Sequence, residues 1–209
     1  GSRRAFPPEG VLLSEHHKRA FVLLAIWSCA EGLITWGLNL QMIDILQGAG
    51  LTIAEAIGVW AFVGPCQSIA RLIELASGGR HSILTSVMGA AVSTSLSFLI
   101  LIPFGISVPT AIAFCIALGI GHGLFAIARN TLPLALFGAT QYGTWVGLLA
   151  VPQNIVNALA PVVFAAMVAR LGAQWALSMG AAAAWIGLVS VYFLVRYCRA
   201  AMRERDIDI

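Results

Sequence analysis

The chain has 209 residues, of which 59% are hydrophobic and only 10% are charged. Its mean hydropathy is +0.90, whereas about a quarter of the residues in soluble domains are charged, so the composition excludes an ordinary soluble protein. The net charge of +3 is too small to indicate a nucleic-acid partner.

Six long apolar runs, separated by short polar breaks, predict an all-α membrane protein with six transmembrane helices. The predicted helices cover residues 21–46, 52–77, 82–102, 110–129, 144–168 and 174–195. Thr52 followed by Glu55 is a capping-box pattern, which marks the start of the second helix. Pro103 is expected to end the third helix. Residues 130–143 are expected to connect the fourth and fifth helices, partly along the membrane surface.

These helices divide the chain into an N-terminal segment (1–20), a membrane domain (21–198) and a tail (199–209). Gly1-Ser2 resembles the remnant of a cleaved tag. Most basic residues flank the helices on the side of the two termini, and the opposite loops carry only Arg170. Because cytoplasmic loops are enriched in Lys and Arg, we expect both termini to be cytoplasmic, in a bacterial inner membrane.

Glu31 lies ten residues into the first apolar run. An ionisable side chain at this depth costs about 2.5 to 3.5 kcal/mol on insertion scales, so such residues usually face a protein interior or a wet cavity and mark a pathway. Gln67, His122 and Gln153 fall at a similar depth in the second, fourth and fifth helices. These four helices are therefore predicted to share a polar interior, with the third and sixth at the periphery.

Glu31 is the proton-coupling candidate. The candidates for a substrate cavity are polar residues on the predicted inner faces, namely Gln67, His122, Gln153, Asn154, Asn157 and Asn39. The candidates for gating or structural charges are Arg71, Glu74, Arg80 and Arg129, and the candidates for helix bends are Pro65 and Pro152, which are expected to interrupt the second and fifth helices.

Simpler readings compete with these roles. Each amide is equally explained as a hydrogen-bond partner between helices, and His122 as a packing residue. Arg71 and Glu74, three residues apart, fit a structural ion pair. The four cysteines are scattered without a metal-ligand spacing, so neither a metal nor another cofactor is predicted.

The matching positions of Pro65-x-Gln67 and Pro152-Gln153 favour two related triplets of helices. Because each triplet has an odd number of spans, the second copy would be inverted in the membrane, a symmetry found in many transporters.

Five segments of the chain carry a family resemblance. They are Val63-Gly64-Pro65-Cys66-Gln67-Ser68-Ile69-Ala70-Arg71, the Gly78-Gly79-Arg80 turn and the block from Ala128 to Gly138 with Tyr142-Gly143 and Ala160-Pro161. With these segments the chain resembles the C-terminal half of a major facilitator superfamily transporter. The resemblance implies half of a twelve-helix fold, in which the first and fourth helices of each half line the central cavity. It also implies that a second six-helix unit completes the Glu31 site.

The predicted function is a secondary active transporter module that moves a small solute by alternating access, coupled to protons. Its predicted partners are the bilayer, a small-molecule substrate and a second six-helix unit, either a second copy or an N-terminal half. The alternatives are a non-transporting scaffold or ligand-sensing domain, and an inactive isolated half. No motif of an intramembrane protease or metal-dependent enzyme is present, so an enzyme is not predicted.

Overall fold

The computed structural model describes residues 10–12, 14–77 and 82–203. In this part of the chain there are seven α-helices and no strand. The helices are α1 (Ser14–Gly48), α2 (Ile53–Trp60), α3 (Val63–Ala76), α4 (Ile83–Phe104), α5 (Val108–Phe137), α6 (Tyr142–Leu171) and α7 (Ala173–Arg203). Because α2 and α3 follow each other as one apolar stretch, the fold contains six spans long and apolar enough to cross a membrane. The prediction of an all-α, six-helix membrane fold is confirmed.

The second span begins with the predicted capping box. The Glu55 amide donates to Thr52 Oγ1 over 3.3 Å, and the Thr52 amide donates to Glu55 Oε2 over 2.8 Å. These bonds satisfy two backbone donors that a helix start otherwise leaves unpaired. The prediction for this boundary is therefore confirmed at the level of its hydrogen bonds.

The proline residues affect their helices differently. The second span is interrupted at Ala61 and Phe62, between α2 and α3. Ala61 lies four residues before Pro65, and a proline ring collides with the carbonyl group four positions earlier. By contrast, α6 continues through Pro152 and Pro161 without a break, and a bend at Pro152 stays a prediction. Membrane helices tolerate proline where neighbouring groups or local adjustments satisfy the freed carbonyl groups. Pro103 likewise lies inside α4, which ends at the positive-φ residue Gly105.

Residues 130–137 do not form the predicted connector but continue α5 to Phe137. The last carbonyl groups of a helix need hydrogen-bond partners from outside the helix. In α5, two of these carbonyl groups accept hydrogen bonds from residues near the N-terminus of the chain. The Val11 amide donates to the Ala135 carbonyl over 3.0 Å, and the Leu12 amide donates to the Leu136 carbonyl over 3.2 Å. We call residues 10–12 the N-terminal clasp. It caps α5 and thereby supports the extra turns of the helix.

The contacts between helices repeat within the fold. The main neighbours of α1 are α6 and α7, those of α5 are α3 and α4, and α4 also packs against α7. Each contact has a counterpart three spans along the chain. The α1–α6 contact corresponds to α5–α3, the α1–α7 contact corresponds to α5–α4, and the α4–α7 contact corresponds to itself. The first span of each triplet therefore packs mainly against the second and third spans of the other triplet.

Burial corrects the predicted periphery. In the most apolar stretches of α4 and α7, 44% and 50% of the residues are buried, against 22% in the second span and 11% in α6. The third and sixth spans are therefore well packed, because they contact each other as well as the central helices α5 and α1. The second and fifth spans are the exposed ones.

Two apolar clusters fill the core, one towards each end of the bundle. The cluster at the Gly48 end, where α1 and α4 finish and α7 begins, includes Leu38, Phe98 and Phe164. The cluster at the Phe137 end, where α5 finishes near the start of α1, includes Leu24 and Phe125. The candidate site lies between these two clusters.

Candidate functional site

A layer of polar side chains separates the two apolar clusters. The buried members are Ser28, Glu31, Thr94, Ser95, His122 and Gln153, which come from α1, α4, α5 and α6. Glu31 is only 2% exposed and His122 only 6% exposed. Glu31 is therefore largely enclosed by helices of its own chain, among them α4, which was predicted to be peripheral. That a second unit completes the surroundings of this layer stays a prediction.

Glu31 and His122 form the centre of the layer. Glu31 Oε2 lies 3.7 Å from His122 Nε2, which is within ion-pair distance when the ring is protonated. The same nitrogen shares a hydrogen bond of 3.3 Å with the Thr35 hydroxyl, and the tautomer of the ring decides which group donates. The prediction of a common depth is confirmed for these two residues, because they meet across the α1–α5 interface.

Several polar atoms in the layer lack a hydrogen-bond partner among the described residues. Thr94 and Trp27 both approach the Glu31 carboxyl group. Nevertheless, Thr94 Oγ1, Trp27 Nε1 and Glu31 Oε2 form no hydrogen bond within the described part of the chain. A buried polar atom without a partner costs about 1 to 3 kcal/mol. The Glu31 carboxyl group therefore has possible hydrogen-bond donors nearby, but Oε2 forms no hydrogen bond with them.

Two glycines of α5 bring neighbouring helices close to His122. A Cβ atom on Gly121 would lie 2.9 Å from the Thr94 amide nitrogen, and one on Gly123 would lie 2.6 Å from the Gln67 carbonyl oxygen. Only glycine permits such backbone approach on both sides of His122. The Gly-His-Gly sequence thus places the imidazole between α3, α4 and α1.

The amides of α6 are divided between the layer and the surface. Gln153 is 6% exposed, and its side chain lies beside Gly32, next to Glu31. Asn157 is half-buried against the same glycine, and its Oδ1 atom has no hydrogen-bond partner in the described ranges. Asn154, by contrast, is exposed, as is Asn39 near the Gly48 end of α1. Of the predicted cavity residues, Gln153 and Asn157 therefore join Glu31, and Asn154 and Asn39 do not.

The predicted ion pair between Arg71 and Glu74 is not formed. Arg71 donates from a guanidinium nitrogen to Gln67 Oε1 over 3.3 Å, one turn earlier on α3. Glu74 instead accepts a 2.5 Å hydrogen bond from the Ser86 hydroxyl of α4. The pair fails because a neighbouring amide and a hydroxyl from another helix each offer a partner in better geometry. Gln67 is half-buried, and its side-chain oxygen accepts this bond from Arg71 rather than contacting Glu31 or His122.

The other two predicted charges lie elsewhere. Arg129 is exposed on α5, close to the Phe137 end of the bundle. Arg80 lies outside the described residues.

Sequence reasoning missed Thr94 and Trp27. Thr94 stands in the run Ser93-Thr94-Ser95-x-Ser97, an unusual density of hydroxyl groups for the middle of a span. That density was the available signal, because hydroxyl groups in membrane helices usually bond to another helix. Ser93 and Ser95 do so, donating to carbonyl groups of α5 and α7. Trp27 gave no comparable signal, since an indole is equally common at a membrane boundary.

A cavity of about 590 Å³ lies away from this layer, at the Gly48 end. It opens between Gly48, Gly105 and Ala173, at the adjoining ends of α1, α4 and α7. No charged side chain lines it. The volume of a cavity therefore does not identify the candidate site of this protein. The ionisable and polar side chains lie in the polar layer instead.

Comparison of the sequence with protein-family models and with curated proteins gives no match.

Proposed function

We propose that the chain is a proton-coupled module of a secondary active transporter, and that a second six-helix unit completes its solute pathway. The observation that carries the proposal is the Glu31–His122 contact of 3.7 Å between two side chains that are 2% and 6% exposed. Ionisable residues buried at membrane depth are costly and usually serve a pathway for protons or solutes.

The position of this contact supports proton coupling. Glu31 belongs to the first span of one triplet and His122 to the first span of the other. Because burial disfavours the charged form of a carboxyl group, gain or loss of a proton changes the electrostatic energy of the α1–α5 interface. A change of this kind shifts the balance between two packings of the helices. Protonation at Glu31 would thus be linked to the movement that transport requires.

The exposed spans favour a second unit. Asn154 and Arg71 are exposed on α6 and α3, and Gly64 and Gly147 on the same helices have open space where a Cβ atom would lie. A lipid chain offers an amide or guanidinium group no hydrogen-bond partner. Small residues and polar side chains together favour close helix pairing in a membrane. A second six-helix unit, either a second copy or an N-terminal half, would cover this face.

Two further features support the transporter reading. The first is the resemblance of the sequence to half of a major facilitator transporter. The second is the exchange of contacts between the two triplets, since internal repeats are the basis of many transporters. In this proposal the protein moves a small solute by alternating access.

The test is proton-driven flux in vesicles that contain both six-helix units. Cations, neutral solutes and organic anions are screened against an imposed pH gradient, and Glu31→Gln is compared with Asp44→Asn, which alters an exposed acid on the same helix. We expect Glu31→Gln to abolish proton-driven accumulation and Asp44→Asn to preserve it.

Two results would argue against the proposal. Unchanged coupling in Glu31→Gln would remove Glu31 from the proton step. If no solute crosses the membrane although size measurement shows that both units are assembled, a scaffold or ligand-sensing role would be favoured instead.

A further inference from the structure

Two hydrogen-bond donors beside Glu31 have no acceptor within the described ranges. Thr94 of α4 is 1% exposed, and Trp27 of α1 is 0% exposed. Both side chains approach the Glu31 carboxyl group, yet neither Thr94 Oγ1 nor Trp27 Nε1 forms a hydrogen bond there. Because a buried donor without an acceptor is costly, two such donors beside one carboxyl group require an explanation.

Packing holds both donors in position. Trp27 lies one turn before Glu31 on the same face of α1, and its ring meets Phe125 of α5 edge-on at a centroid distance of 5.0 Å. Thr94 Oγ1 lies so close to Gly121 of α5 that a Cβ atom on this glycine would collide with it. The two donors therefore converge on Glu31 from its own helix and from α4.

The chemistry of the two donors suits the ionised form of Glu31. An indole N–H only donates and an ionised carboxylate only accepts, whereas a protonated carboxyl group uses one of its oxygens as a donor. Hydrogen bonds to an ionised group are also shorter and stronger than those between neutral groups. Thr94 and Trp27 therefore bind Glu31 most strongly when it has lost its proton.

We propose that Thr94 and Trp27 are positioning residues that bind the Glu31 carboxylate after it has lost its proton. The proposal rests on the proposed function and identifies α4 as the helix that responds to the proton. When the Glu31 O–H bond breaks, its electron pair stays on the carboxylate, and the proton passes to a base. His122 Nε2, at 3.7 Å, lies within ion-pair distance for this role. The Thr94 hydroxyl and the Trp27 N–H then donate to the carboxylate oxygens, and the bond from Thr94 ties α1 to α4.

The charged and titratable groups that face Glu31 are few. His122 of α5 faces it directly, and Arg71 of α3 acts electrostatically on that ring. Cys29 precedes Glu31 by two residues and therefore lies on a different face of α1. No ionisable side chain occurs in α4. Those of the other helices packed against α1 lie towards helix ends, namely Glu55 of α2, Tyr142 and Arg170 of α6, and the residues from Tyr192 onwards of α7. In the described part of the chain, the carboxylate therefore depends on His122 and the two neutral donors.

Infrared spectroscopy of the full chain in lipid vesicles, recorded as the pH is raised, tests the proposal. The bands of Glu31 are those that disappear in Glu31→Gln. We expect the carboxylate band to shift in Thr94→Val, which keeps the branched shape but removes the hydroxyl group, and to return to its original position in Thr94→Ser. The matched control is Ser93→Ala, which removes the adjacent hydroxyl group that donates to the Ala117 carbonyl over 2.7 Å. This variant should leave the band unshifted.

A second measurement leaves Thr94 unchanged and so protects the test against misfolding of its variants. Ultraviolet resonance Raman spectroscopy reports hydrogen bonding of the indole N–H, and the signal of Trp27 is the one lost in Trp27→Phe. In the unmodified protein this signal should shift towards stronger hydrogen bonding as Glu31 ionises, and in Glu31→Gln it should not. If Glu31 ionises while neither the carboxylate nor the indole signal shifts in these comparisons, the role of Thr94 and Trp27 is overturned and the proposed function remains. If the Glu31 bands do not change at any pH, the proposed function and this inference fail together.

Discussion

The two ends of this molecule are closed by different sets of contacts. At the Gly48 end, α1 is surrounded by fully buried apolar side chains such as Leu38, Phe98 and Phe164. The Phe137 end has an apolar cluster of its own, to which hydrogen bonds are added: the N-terminal clasp caps α5, and His17 donates from Nε2 to the Leu12 carbonyl over 3.0 Å. Both ends are therefore packed, and the Phe137 end also depends on specific polar contacts.

The added polar contacts should break at lower cost than the packing. Separating packed aromatic rings leaves cavities that nothing refills, whereas a broken hydrogen bond at the membrane boundary is replaced by a bond to water. The His17 ring also touches Phe137 and Trp145 edge-on, at centroid distances of 5.1 and 5.5 Å, so it joins α1 to α5 and α6 by packing as well. We therefore expect the N-terminal clasp to open at lower cost than the apolar cluster at either end.

The largest loss of stability should come from removing a buried aromatic side chain at the Gly48 end. Phe164→Ala removes a ring that is 0% exposed and should lower the free energy of unfolding by about 3 to 5 kcal/mol. The matched control is Phe193→Ala on α7, where the ring is 54% exposed. Reversible unfolding in mixed detergent micelles measures both. Equal losses would mean that burial at the Gly48 end does not set its stability.

An intermediate loss of stability is expected when the N-terminal clasp is displaced. Gly10 has φ +80°, and a Cβ atom there would lie 2.5 Å from the Gly138 amide nitrogen. Gly10→Val should displace the clasp and cost about 1 to 3 kcal/mol, the usual range for backbone strain at such sites. Hydrogen exchange would then be faster at the Val11 and Leu12 amides.

Gly50 offers a control that separates backbone strain at positive φ from the collision of a side chain with the rest of the protein. It has φ +100°, but a Cβ atom there would meet open space. Gly50→Val therefore carries similar backbone strain without the collision. If it destabilises the protein as much as Gly10→Val does, docking of the clasp contributes nothing to stability.

The smallest effect concerns a single hydrogen bond near the Phe137 end. The Ser190 hydroxyl of α7 donates to the Leu23 carbonyl of α1 over 2.7 Å. Ser190→Ala should cost about 0.6 kcal/mol, the average found for such bonds between membrane helices. Ser178→Ala, which removes a bond within α7, should cost less. A larger loss at Ser178 than at Ser190 would contradict the view that α7 is attached to α1 through this bond.

The sequence predicted what depends on local pattern. Apolar run length located all six spans, and the Thr52-Glu55 pair located a helix start to the residue. The shared depth of Glu31 and His122 also followed from counting along two helices. These features were predictable because helix geometry alone relates sequence position to height in the bundle.

Features that depend on distant partners were not predictable. Asn130 and Pro133 indicate a break in α5 by local rules, yet the helix continues because residues 10–12 cap its end. Arg71 and Glu74 have the right spacing for an ion pair, but Ser86 from another helix takes the carboxylate. Thr94 reaches Glu31 only because α4 packs beside α5, and a helical pattern does not reveal which helices are neighbours.

The packing of α1 against helices of the other triplet has a consequence for biosynthesis. The principal neighbours of α1 are α6 and α7, which are made after the other described helices. When α1 leaves the ribosome, it therefore enters the membrane with Glu31 lacking its later neighbours, and His122 follows only with the fourth span. A chain ending after the third span would contain a costly carboxyl group with the α4 side of its surroundings but without His122 and without α6 and α7. The order of synthesis thus leaves α1 without its principal neighbours until α6 and α7 have been made.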